Sequence, residues 1–123
     1  MGNSQEVHKE RPGKEFYIAG SDIKELIEWD EADGCLAADR ILVDGCKVGY
    51  MYREEPDENW PDSGWRFFAG DEDDDYTNNP DNSGIYKLNT LANYDTEIIP
   101  FLSSPYGSAF GRDEKGVFRS EQR

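Results

Sequence analysis

The chain has 123 residues, 36% hydrophobic and 13% aromatic, which suffices for one small core of few but bulky side chains and excludes two independent ones. Acids outnumber bases 27 to 13, and the formal charge of -14 repels nucleic acid and anionic lipid while drawing in a basic partner. No apolar run approaches a membrane span, the first residues (MGNSQEVHKERPGK) hold no signal-peptide core, and two cysteines without Cys-x-x-Cys spacing make no disulfide scaffold. A cytoplasmic protein with reduced, packed thiols is expected, binding neither nucleic acid nor membrane.

Residues 1–14 are charged and aperiodic and predict a flexible tail, leaving 15–123 as a single domain. Ser21 or Asp22 can cap a helix, with Glu25 completing a capping box and Ile23, Leu26 and Ile27 at helical spacing; Asp33-Gly34 should end it. Next, Asp44-Gly45 lies between two β-prone runs and predicts a hairpin from Arg40 to Arg53. In that register Ile41, Val43, Cys46, Val48, Tyr50 and Tyr52 face the core, while Arg40, Lys47 and Arg53 face solvent.

Pro56 and Pro61 bracket a loop carrying Trp60, after which Trp65–Ala69 reads as a strand, with Trp65 and Phe67 inward and Gly70 closing it. Residues 71–83 form a polar loop, and 85–88 a short strand. Asn89 or Asn93 can cap a short helix, and Asp95 another that Pro100 stops or kinks. The segments 108–112 and 117–120 flank a Gly-ended loop and predict a terminal hairpin. Together these give an α+β fold: a twisted antiparallel sheet of about four to five strands with one or two short helices on one face.

The residue inventory argues against chemistry. The only histidine is His8, in the predicted tail, so a Ser-His-Asp or Cys-His site lacks its base, and no four-ligand zinc set exists. Asp71, Asp73 and Asp75 alternate like the first ligands of an EF-hand, but the sixth and twelfth positions of that loop are Tyr76 and Asn82 instead of Gly and Glu. No phosphate-binding glycine motif is present. We expect no catalytic residue, no metal and no cofactor.

What remains points to binding. Asp71, Glu72, Asp73, Asp74 and Asp75 are five successive acids whose mutual repulsion a basic partner would relieve, and Trp60 and Tyr76 flank them as candidate anchors. Four segments, Gly49–Pro56 (GYMYREEP), Asp62–Phe68 (DSGWRFF), Asn93–Asp95 (NYD) and Gly107–Phe110 (GSAF), give the chain its resemblance to a known family. Over residues 34–118 it resembles a bacterial family grouped with the immunity proteins of polymorphic toxin systems, the type numbered thirty-three. The resemblance implies a small α+β protein that neutralises a cognate toxin without catalysis of its own. A basic toxin domain then becomes the expected partner, and a regulatory or stress-response binding module the alternative.

Overall fold

The computed structural model describes residues 14–56 and 62–121. The predicted 1–14 tail, apart from Lys14, and Trp60 in its loop lie outside the described residues. Six strands form one mixed sheet: β1 (Gly34–Ala38), β2 (Tyr50–Arg53), β3 (Asp62–Phe68), β4 (Ser83–Lys87), β5 (Ala109–Arg112) and β6 (Phe118–Ser120), in the order β4-β1-β3-β2-β5-β6. The short helices are α1 (Asp39–Leu42), α2 (Asp74–Thr77) and α3 (Leu88–Tyr94), joined by 3-10 turns at Gly20–Asp22, Pro80–Asn82 and Thr96–Phe101.

The α+β expectation holds, with six strands instead of four or five and one departure from an antiparallel sheet. β1 pairs parallel to β3. Parallel neighbours need a crossover, and here the connection from β1 to β3 runs through α1 and β2, so the partner strand leaves no local hairpin signal.

One sheet face carries the core. Cys35, Ala37, Met51, Trp65 and Phe67 pack beneath Ile41 and Leu42 of α1, Leu88, Leu91 and Tyr94 of α3, and Ile98 and Leu102 around the following turn. The Trp65 indole donates to the Leu102 carbonyl at 2.9 Å, so the largest core side chain has no stranded donor. Trp65 and Phe67 point inward as predicted, and β4 and the terminal hairpin stand where expected. Asp95 also caps as predicted, its carboxylate accepting the Glu97 amide; the turn it opens contains Pro100 within its 3-10 geometry.

Two predicted elements are replaced. The expected helix after Asp22 is only the 3-10 turn Gly20–Asp22, followed by a strap without regular structure that leads to β1. The side chains of Asn89 and Asn93, which do not cap α3, serve this strap instead: Asn93 Oδ1 accepts from the Lys24 amide at 2.9 Å, and Asn89 Oδ1 from Leu26 at 2.7 Å and Ile27 at 3.2 Å. Both amide groups donate back to the Lys24 carbonyl. Two asparagines thus supply the partners a helix would have made internally. Ile23, Ile27 and Trp29, at odd positions, pack on the core, while Leu26 is left exposed.

The Arg40–Arg53 hairpin is likewise absent. Ile41 and Leu42 are consecutive and both fully buried, which a helical turn permits and a half-buried strand does not. Asp44-Gly45 closes that turn, with Gly45 at φ 81° donating its amide to the Ile41 carbonyl at 3.1 Å. Asp-Gly still marks left-handed backbone, but at a helix end. Val48 is buried as expected, yet Met51 and Arg53 also face inward, so the alternation slips by one and Tyr50 and Tyr52 move to the opposite face. The slip falls at Gly49, where the chain crosses Ala69 so closely that any Cβ would strike its carbonyl oxygen.

Arg53, predicted outside, is therefore only 8% exposed. Its guanidinium donates to the Ser63 and Ser104 carbonyls at 2.9 and 2.8 Å and lies over the rings of Trp29, Trp65 and Tyr106. Backbone acceptors and π faces together satisfy a cation that burial alone would penalise.

Candidate binding surface

The acidic run leaves the sheet at the end of β3 and divides by what each carboxylate touches. Glu72 turns back to accept the Ala69 and Gly70 amides at 2.8 and 2.9 Å, fixing the exit of the chain. Asp71 forms a two-point ion pair with Arg40 of α1, accepting from Nε at 3.1 Å and from the neighbouring terminal nitrogen; Arg40 also donates to Asp44 at 3.1 Å. These hydrogen bonds hold the Asp71 carboxyl below its usual range. Asp73 caps α2 by accepting the Tyr76 amide at 2.8 Å.

Asp74 and Asp75 are different. Both are exposed on α2, and their carboxylates meet no hydrogen-bond donor or cation among the described residues. Tyr76 is half-buried near Asp39, Asp44 and Glu72, where burial first and those charges next raise the pKa of its phenol. Three of the five acids thus position the loop, and two acids face water. The run alone carries no sign of this division, because the counter-charge, Arg40, lies 31 residues upstream.

Asp71 also lines an open cleft of about 590 Å³ between residues 46–49, Ala69-Gly70 and the β5–β6 turn. Its cations are Lys47 and Arg112. Arg112 is fully engaged: it donates to the Val48 and Gly116 carbonyls and to Asp95 and Glu97, and covers the Phe118 ring at 4.1 Å. Asp95, 2% exposed, accepts in addition the Val48 amide at 3.0 Å and the Glu97 amide at 3.1 Å. This cluster is a structural joint between α3, β2 and β5. Burial pushes the Cys35 thiol well above its ordinary pKa, and Cys46 is half-buried; both cysteines are free. Among the described residues no group of three or more His, Cys, Asp or Glu converges as a metal site, and no helix is long and apolar enough to cross a membrane.

The sheet face turned away from the core presents a second surface. Ile85 of β4, 67% exposed, stands opposite Leu36 of β1, which pairs with Arg66 of β3; Phe68 is opposite Tyr50, and Arg66 opposite Tyr52. Tyr52 stacks on Phe68 with centroids 6.1 Å apart and meets Tyr50 at 5.9 Å. Arg66 is held by Glu54 at 2.9 Å and Asp62 at 2.8 Å. Burial raises the Asp62 pKa, but the hydrogen bonds from Arg66 and the Gly64 amide outweigh it and leave that carboxyl low. The one-residue slip at Gly49 puts the tyrosines here, so the alternation read from the hairpin missed this face.

The profile of the Immunity protein Imm33 domain matches residues 35–122, from the start of β1 through β6. The chain belongs to this family. No curated protein and no solved structure matches it. The Imm33 match takes in the whole sheet, the acidic run and α3, and begins just after the strap. The strap nevertheless contributes Phe16, Ile18, Ile23, Ile27 and Trp29 to the packing around the Imm33 core.

Proposed function

We infer that the chain is a cytoplasmic immunity protein that neutralises a cognate toxin by binding it, without catalysis, metal or cofactor. Membership of the Imm33 family carries the role. The charge of -14 and the exposed carboxylates of Asp74 and Asp75 support a basic toxin surface as the target. Complementary fields speed encounter, and carboxylates can occupy a cleft built for phosphate. Asp71, Glu72 and Asp73 hold the loop in place, Asp74 and Asp75 steer, and Trp60 and Tyr76 anchor.

The test is to look among the neighbouring genes for a toxin domain, co-express the chain with it and measure binding kinetics of the purified pair; repeated absence of such a neighbour would count against the reading. The reading requires that the chain restores growth and binds the toxin directly. Trp60→Ala should raise the dissociation rate, whereas Asp74→Asn with Asp75→Asn should lower the association rate and flatten its salt dependence. Restored growth without direct binding would favour the regulatory-module alternative.

A further inference from the structure

We propose that the sheet face turned away from the core, where Ile85 is exposed and Leu36, Phe68 and Tyr50 are half-buried among the described residues, is the contact surface for a basic protein partner. This rests on the toxin-binding reading and assigns it a second surface, distinct from the acidic loop. None of these four side chains joins the core cluster, although at least one neighbour of each in the same strand (Tyr86, Cys35 and Ala37, Phe67, Met51) packs in or against it. They lie on four adjacent strands, β4, β1, β3 and β2, and so span about 14 Å at the usual strand spacing. An ordinary protein interface likewise sets an apolar centre within a polar rim.

The charges around the stripe select the occupant. Its one central cation, Arg66, is bound by both Glu54 and Asp62, so that triad carries a surplus negative charge. An incoming arginine or lysine meets aromatic faces and excess carboxylate, the setting for cation-π contact. A second copy of this chain brings another -14 and the same surplus, which disfavours self-association through the face. Continuity with the steering acids adds to the case. Phe68 is the last residue of β3, and Ala69 and Gly70 lead straight into the acidic run. A basic surface drawn to Asp74 and Asp75 therefore arrives beside the stripe.

Ile85 offers a clean test because it is exposed on an edge strand, where substitution leaves the core intact. Affinity for a toxin domain that the wild-type chain neutralises in co-expression would be measured for the wild type, Ile85→Arg, Ile85→Asp and Tyr50→Ser. Val117→Ser, in the β5–β6 loop, serves as control, and thermal melts confirm folding. Ile85→Arg and Tyr50→Ser should weaken binding about tenfold or more, mainly through faster dissociation, with Ile85→Asp less damaging than Ile85→Arg and the control unchanged. Wild-type binding with all face variants within twofold would overturn the proposal and leave the toxin-binding reading standing. A larger loss for Asp than for Arg would overturn the basic chemistry. A wild-type dimer that Ile85→Arg dissociates while toxin binding persists would make the occupant a second copy, and failure of the wild type to bind would remove the functional reading itself.

Discussion

Asp95 and the pair Asp74-Asp75 carry the same charge on one small domain and do opposite work. Asp95 is enclosed by Arg112 and two backbone amides, and its loss would leave the buried Val48 amide without an acceptor. Asp74 and Asp75 stand in water on a single helical turn, and nothing in the described fold depends on their carboxylates. In so acidic a chain, count alone does not reveal function. What separates a structural acid from a candidate binding acid is whether the chain already supplies its counter-charge.

The largest expected effect comes from breaking the enclosed side of that contrast. Asp95→Ala leaves the buried Val48 amide without its acceptor and takes from Arg112 one of its two carboxylates, Glu97 remaining, and should cost about 2–3 kcal/mol in urea unfolding. Asn89→Ala comes next. It removes the acceptor of two strap amides and should cost about 1 kcal/mol, with hydrogen exchange quickening at Leu26 and Ile27 before elsewhere. Asp62 then tests the acid limb. Its pKa is depressed in the folded state, so its contribution is complete above the unfolded value near 4 and is lost as pH falls through the lower folded value. Stability measured from pH 6 to pH 2 should fall less steeply in Asp62→Asn, and an unchanged slope would deny Arg66 its part.

The legibility of the sequence followed the same division between what a residue does locally and what it does at a distance. β3, β4, the Asp95 cap and the terminal hairpin were readable because their signals lie within a few residues: alternating rings, a capping carboxylate, a Gly-ended turn. The strap was not, because the asparagines that hold it are more than 60 residues away. Apolar residues at 23, 27 and 29 fit a strand period as well as 23, 26 and 27 fit a helix, and only the distant partners decide between them. The open aromatic face was lost to a single event, the close approach of Gly49 to Ala69, which inverts every later side chain of β2. At the candidate site the composition of the acidic loop was legible, and its internal division between Arg40-bound and unpaired carboxylates was not.

The smallest expected effect on stability is also the most informative about function. Asp74→Asn with Asp75→Asn removes two charges that meet no cation among the described residues, so urea unfolding should move by less than about 0.5 kcal/mol in either direction. Relief of self-repulsion in a chain of net charge -14 makes slight stabilisation the favoured sign, strongest at low ionic strength. Asp71→Asn, by contrast, breaks the two-point ion pair and leaves Arg40 with Asp44 alone, and should destabilise, although both substitutions remove negative charge from the same loop. Opposite signs for neighbouring acids would establish that Arg40 is what sets Asp71 apart. Equal effects would mean that the five acids act as one diffuse charge, and the steering role would then belong to the whole run.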